Sequence, residues 1–466
     1  MIVFISYLNA NKTFAAKLAD TLRKNGFEVL INELSIPSGD NIIEKVKEGL
    51  VTADAFIAVL SNAYLSSTWG MHELSFVSAR AMSDPNLRVI PVVLEDCDIP
   101  VFIRDHNYAD FRGDFTTAAE AVVRALGADE LPDLTREEQV AQKKQSKRSS
   151  LSLHANKLME HLRRGEMTIV CGAGISTAAG VPTWPVLLNE LLSDLIHKSL
   201  PYCPVDLDDR KKIAALYQDH FSPSALVVAQ YLKNGLGTAF LKMVRRSLYS
   251  KSPRTSDLLE AIIELCRPQR SRADLASIIT FNFDDLIEYN LDNEQIKYRS
   301  IFSEGQRADR SELAIFHPHG FLPRVGDIDD THSIVFSEDD YHSQFMDPFS
   351  WSNLVQLNHL ANNVCLFVGL SMSDPNLRRL LDVAMRKNPD RKVNHYVFKR
   401  RHANAASIGR ISELALIGDD AKTAQRLLAM SEMLEEQDHT YLGLNTIWID
   451  SYDEIPDFLR ILAKEA

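Results

Sequence analysis

Residues 167–187, MTIVCGAGISTAAGVPTWPVL, pass from an apolar stretch through a glycine-rich turn into helix-forming sequence. A buried strand that ends in Gly-x-Gly and feeds a helix is the first step of a parallel α/β sheet, and its turn lets the backbone approach an anion closely. The dinucleotide fingerprint Gly-x-Gly-x-x-Gly would need glycine at 177, where this chain has Thr177, with the next glycine only at Gly180. It is therefore not a standard Rossmann loop. Gly172 and Gly174 still permit close approach, Ser176 is available to cap, and the positive end of the following helix favours a phosphate. Taken alone, the same turn serves equally well as a tight turn with no ligand.

Working outward, the same pattern repeats. SIITFNFDD, AIFHPHG, VCLFVGLS and NHYVFKR read as buried strands between helical stretches, and the chain continues to a strand-like TIWID. The helix DEIPDFLRILAKEA follows, with Ile455, Phe458, Leu459 and Leu462 on one face. Upstream, IVFIS, EVLIN, AFIAVLS and RVIPVVL alternate with helical patterns such as FAAKLADTLRKNG, which puts Phe14, Leu18 and Leu22 on one face and ends at Gly26. Between the two sets lies REEQVAQKKQSKRSS, residues 136–150, almost without large apolar side chains and read as a linker or an exposed helix start. Two α/β domains follow from this arrangement.

Composition sets the outer limits. The chain has 466 residues, 45% hydrophobic and 24% charged, which is ordinary globular composition for two to three domains. Its 51 Lys and Arg against 63 Asp and Glu give a formal charge of -12, which argues against a broad basic face for nucleic acid. Cys97, Cys171, Cys203, Cys266 and Cys365 form no CxxC pair, so neither a zinc ribbon nor a disulfide framework is readable and no metal is expected. The start, MIVFISYLNANK, lacks the pattern of a secretory signal, and no apolar run reaches the ~20 residues needed to span a bilayer. A cytoplasmic protein with no membrane partner is the expectation.

In the first half, FISY, Gly26 before EVLIN, Gly39 in LSIPSGD, and AFIAVLSNAYLSSTWGMHELSF fall in the order that resembles the Toll/interleukin receptor (TIR) domain, over residues 1 to about 130. The resemblance places Glu73 at the position of the active carboxylate of catalytic members and Trp69 one helical turn before it, on the NAD side. A carboxylate there suits the chemistry, since cleaving the nicotinamide–ribose bond leaves an oxocarbenium-like sugar whose charge it stabilises. Asn32 stands where many members have Asp and Gly70 where many have Cys. Equally open is a domain used for association alone, with Trp69 as core and Glu73 as an exposed helix carboxylate.

In the second half, GAGIS at 172–176, TFNFDD at 280–285, HG at 319–320 and GLSMSD at 369–374 resemble the sirtuin superfamily, in particular the bacterial defence branch that hydrolyses NAD. By that resemblance Gly172, Ala173, Gly174, Ile175 and Ser176 hold the pyrophosphate, Asn282 and Asp284 sit at the nicotinamide end, His319 faces the ribose, and Gly369 with Ser371 lines the adenosine side. Asn282 can orient water or a carboxamide, and His319 can take a proton near neutral pH. Read without the family, Asn282 is also an Asx cap and His319 a structural histidine. Protein deacylases of the family follow the loop with Asp-Phe-Arg and carry a four-cysteine zinc module. Here the loop continues GVPTWPVLL and no cysteine pair exists, so water becomes the acceptor.

The fold expected is α/β: a flavodoxin-like parallel-sheet TIR domain over 1–135, a linker at 136–150, and a Rossmann-like sirtuin-family domain with helical insertions over 151–466. The function expected is an NAD glycohydrolase of prokaryotic antiviral defence, yielding nicotinamide and ADP-ribose. Its TIR half would drive homo-oligomeric assembly, answer a phage-derived or defence-partner activator, or supply a second NAD-cleaving site. The alternative is a TIR cyclase or scaffold joined to a silent sirtuin-like domain that senses NAD or ADP-ribose.

Overall fold

A computed structural model describes residues 1–34, 52–65, 87–97, 108–127, 151–199, 206–221, 224–269, 274–328, 332–387, 395–401 and 420–465, with single positions 67, 70, 73, 74, 77, 80, 81 and 99. The linker reading at 136–150, Gly39 and Trp69 lie outside the described residues. The chain forms two compact units, Met1–Asn156 with His402–Gln437, and Lys157–Arg401 with Asp438–Ala466.

In the first unit, β1 (Ile2–Leu8), β2 (Glu28–Leu34), β3 (Ala55–Leu60), β4 (Arg88–Val93) and the two-residue β5 (Ala109–Asp110) form one sheet in the order β2-β1-β3-β4-β5. Every pairing is parallel, which is the doubly wound arrangement with its switch point between β1 and β3. Helices α1 (Lys12–Lys24) and α2 (Phe115–Gly127) cover one face, where Leu18, Leu22 and Val122 join Ile5, Ile57 and Val92 in a closed core. The α1 pattern read from sequence holds, since Leu18 and Leu22 are fully buried and Gly26 turns the chain at φ +87. Phe4, Phe56 and Tyr64 build the core of the opposite face.

The second unit is a seven-stranded parallel sheet of β6 (Met167–Cys171), β7 (Ser277–Thr280), β8 (Tyr298–Ile301), β9 (Leu313–Phe316), β10 (Val364–Val368), β11 (His395–Arg400) and β12 (Leu444–Ile449). Its order is β12-β11-β10-β6-β7-β9-β8, so from β6 the chain adds β7, skips to the edge at β8, fills the gap with β9, and then crosses to build outward through β10, β11 and β12 on the other side. A switch point therefore opens between β6 and β10, and in such sheets that is where a crevice forms beyond the strand ends. The five residues of β6 and the five of β10 are all buried, as continuous apolar runs covered on both faces should be.

A helical insertion separates β6 from β7. It comprises α3 (Ala173–Thr177), α4 (Trp184–Ser199), α5 (Leu207–Phe221), α6 (Ala225–Leu236), α7 (Phe240–Leu248) and α8 (Asp257–Cys266). Further on come α9 (Leu286–Asn293), α10 (Glu338–Met346), α11 (Trp351–Asn362), α12 (Pro375–Lys387), α13 (Asp420–Tyr441) and α14 (Glu454–Glu465). On α14 the sequence-predicted face, Ile455, Phe458, Leu459 and Leu462, is buried.

Candidate functional site

The site grows from the ends of β6 and β10. The Gly172 amide donates to the Val368 carbonyl at 3.0 Å and the Gly174 amide to the Gly369 carbonyl at 3.0 Å, which carries the ladder past the last residues of both strands. Such contact is open only to glycine: a Cβ on Gly174 would lie 2.7 Å from the Gly369 Cα, and Gly369 itself sits at φ +70. The two loops lock together and leave a cavity of about 500 Å³ beyond them, a volume suited to a nucleotide-sized ligand.

Gly172, Ala173, Ser176, Asn282, Asp284, His319, Gly369 and Ser371 all line this cavity. Gly174 and Ile175 do not; Gly174 packs on Gly369 and the Ile175 side chain is buried in the protein. Ser176, read as a helix cap, has another role. The N-cap of α3 is Gly172, and the buried Ser176 hydroxyl lies 2.8 Å from the Asn282 Nδ2. Asn282 Nδ2 also donates to the Gly172 carbonyl at 3.1 Å, and because a carbonyl can only accept, this bond fixes which end of the amide is nitrogen. The Asn282 Oδ1 is left as the acceptor for a ligand.

Asp284 accepts from the Leu286 amide at 3.1 Å, and burial pushes its carboxyl up to about 6, with the Ser176 hydrogen bond pulling the other way. Near neutral pH it is mostly ionised. His319 lies edge-on to Phe281 at 4.7 Å and to Tyr341 at 5.7 Å, and burial holds its imidazole below the usual range, with Asp374 opposing. It is therefore neutral at pH 7 and able to accept a proton. Its Nε2 is buried without a hydrogen-bond partner, 3.8 Å from Asp374 Oδ2. Behind the site, His317 bridges the Asn282 carbonyl at 3.3 Å and Glu288 at 2.8 Å, and Ser300 donates to the same Glu288 oxygen at 2.8 Å. This chain holds the Asn282 backbone in place.

Trp184, Phe281, Tyr341 and Asp374 also line the cavity, and none was singled out from sequence. Asp374 stood inside the GLSMSD motif and was readable there; Tyr341 has no local signal. In the first unit, Glu73 is only 3% exposed and accepts a hydrogen bond from Ser6 near the end of β1, with the Ser6 hydroxyl 3.0 Å from Tyr64. Its burial departs from an exposed helix carboxylate. Among the described residues no group of three or more His, Cys, Asp or Glu side chains could hold a metal ion.

The TIR domain family matches residues 3–126 and the SIR2-like domain family matches residues 276–415. This chain joins a TIR domain to a SIR2-like domain. It is 24% identical over 318 residues to an NAD(+) hydrolase ThsA of Enterococcus faecium, an alignment covering 66% of this chain and 57% of that protein. Its TIR part is 32% identical over 90 residues to a 2′ cyclic ADP-D-ribose synthase of Bacteroides thetaiotaomicron, 19% of this chain and 31% of that protein. An NAD(+) hydrolase TcpC of Escherichia coli is 31% identical over 90 residues, 19% of this chain and 29% of that protein. The chain thus spans little more than half the length of the Enterococcus relative. The SIR2-like match and the cavity belong to the same parallel sheet, and among the described residues no helix is long and apolar enough to cross a membrane.

Proposed function

We propose that the SIR2-like domain is an NAD glycohydrolase that cleaves the bond between nicotinamide and ribose C1′ and passes the ribosyl group to water. The observation that carries this reading is the convergence of Asn282, Asp284 and His319 on one cavity closed by the paired glycine loops. The glycine loop takes the pyrophosphate where Gly172 and Ala173 line the cavity and the missing side chain of Gly172 lets a ligand approach the backbone. Asn282 Oδ1 holds the nicotinamide carboxamide or the attacking water. As the bond breaks, nicotinamide departs neutral and positive charge builds on the ribose, where the ionised Asp284 stabilises it. Water adds at C1′, and the proton it loses is taken by neutral His319 and released to solvent. The products are nicotinamide, ADP-ribose and one proton.

The names of the relatives support NAD as substrate, and the resemblance to the defence branch supports a role in prokaryotic antiviral defence. A second reading rests on the TIR relatives that make 2′ cyclic ADP-D-ribose. In it the TIR domain also consumes NAD, with Glu73 as the carboxylate and Trp69 beside it, while the SIR2-like domain senses the nucleotide. The convergence of Asn282, Asp284 and His319 on one cavity favours the first reading. Purified full-length protein incubated with NAD, with products separated by chromatography, distinguishes them. Asn282→Ala and His319→Ala should each lower turnover about a hundredfold, the scale of a lost positioned polar or acid/base group. If both keep normal turnover while Glu73→Gln abolishes it, the SIR2-like site is not the engine.

A further inference from the structure

The His319 environment contains more than the proposed reaction has used. Its Nε2 is sealed from solvent with no hydrogen-bond partner, a costly state for a ring nitrogen, and the polar atom in front of it is Asp374 Oδ2 at 3.8 Å. That gap is too long for a hydrogen bond, so the pair is close but not bonded. Asp374 is held at both oxygens: Oδ1 accepts from the Leu377 amide at 2.8 Å at the start of α12, and Oδ2 accepts from the Tyr341 hydroxyl at 3.0 Å. Burial and the neighbouring Asp374 raise the Tyr341 phenol, which keeps it protonated as a permanent donor. Tyr341 also packs edge-on to His319 at 5.7 Å, so it touches both members of the pair.

We propose that Asp374, anchored by Tyr341, is a positioning residue for His319: closure of the 3.8 Å gap lets Nε2–H donate to the carboxylate and leaves Nδ1 as the base. This rests on the glycohydrolase reading above and extends it to the histidine's tautomer and timing. Hydrogen bonds of this type are often long before ligand binds and tighten in the reacting complex. A carboxylate behind the imidazole also favours the protonated ring as it takes the proton from water. The step balances: the O–H bond of water breaks, its oxygen bonds to ribose C1′, and Nδ1 gains the proton.

The titratable groups around His319 are few. Asp374 precedes α12, Tyr341 belongs to α10, and Phe281 after β7 presents an uncharged edge. Asp284 is the other carboxyl lining the cavity, and His317, two residues away, is engaged with Glu288. Removing the Asp374 charge therefore removes the one opposing influence in ion-pair range among the described residues.

The simplest competing role for Asp374 is that of a helix cap, and Asp374→Asn separates the two because asparagine caps as well as aspartate does. In full-length protein with NAD, Asp374→Asn should lower kcat about tenfold or more with KM within about threefold, and Tyr341→Phe should act in the same direction by about threefold. Loss of the carboxylate takes away what holds a proton on the ring, so the acid limb of the kcat–pH profile should move to lower pH in Asp374→Asn. The second readout needs no turnover: in histidine-labelled protein, with His319→Gln to assign the signal, the His319 ring should titrate at lower pH in Asp374→Asn than in wild type. If wild type hydrolyses NAD and Asp374→Asn matches it in kcat and in the His319 titration, the inference is overturned. If wild type does not hydrolyse NAD, the glycohydrolase reading falls, and the titration alone decides whether Asp374 governs His319.

Discussion

Replacing Gly174 by alanine tests how the site is held open. The added Cβ would lie 2.7 Å from the Gly369 Cα and 3.1 Å from its carbonyl oxygen, against the 3.4 Å at which ordinary contact begins. Both obstacles are backbone, so no side chain can rotate aside, and the loops must part by about 0.7 Å. That movement stretches the 3.0 Å bond from the Gly174 amide to the Gly369 carbonyl beyond useful length. Overpacking of this kind costs about 1–3 kcal/mol, and the lost hydrogen bond about 1 more, which lowers the melting temperature by several degrees. The functional effect should be larger, because Gly172, Ala173 and Ser371 sit on the parted loops and line the cavity. A displacement near 1 Å at a reacting site costs on the order of a hundredfold in rate. Turnover of NAD and thermal melting are measured for Gly174→Ala and for Gly113→Ala, whose added methyl meets nothing within 4 Å. The Gly113 variant should match wild type in both. A Gly174 variant that also matches wild type would refute the claim that loop contact builds the site.

Asp284 gives a pH test. Its folded value near 6 stands above the ordinary 3.8, so its contribution to stability is full below about pH 4 and is lost as pH rises through 6. Asp284→Asn should therefore flatten the melting temperature against pH between 4 and 6 relative to wild type, and identical slopes would sink the assignment. Turnover should be indifferent to chelators, since the chemistry assigned to Asn282, Asp284 and His319 uses no metal; activity lost on chelation and restored by a divalent cation would contradict that. If the TIR half works by assembly, specific activity of the full chain should climb with protein concentration in step with mass from light scattering, and a flat activity over a changing mass excludes it.

The strands legible in the sequence are those whose burial leaves a local trace. MTIVC, SIIT and VCLFV are buried at every position because both faces of a central strand are covered, and β6 and β10 run straight into glycine turns. The edge strand β8, YRSI, pairs among the described residues only with β9 and has one buried residue, so its sequence carries no comparable signal. Two-residue β5 leaves even less. Ser176 was misread for a similar reason. A serine after Gly-x-Gly looks like a cap until the chain more than a hundred residues later returns Asn282 to its hydroxyl at 2.8 Å.

The site itself obeys one geometric rule that explains both what could and what could not be read. Gly172 follows β6 directly, Asn282 lies two residues beyond β7, His319 three beyond β9, and Gly369 directly after β10. In an all-parallel sheet every strand delivers its C-terminal end to the same edge, so four motifs that each follow a strand must share that edge whatever the strand order. That much is contained in the sequence once the sheet is taken as parallel. Which motifs become neighbours depends on the order β10-β6-β7-β9, which makes the four strands contiguous and sets the GLSMSD loop beside the GAGIS loop. The Asp374–His319 approach depends on that order, and Tyr341 joins it only because α10 crosses the same edge. A chain that placed β10 beyond β8 would keep every motif and lose the pairing of the glycine loops. Strand order is a property of the folded sheet, and no single stretch of this sequence encodes it.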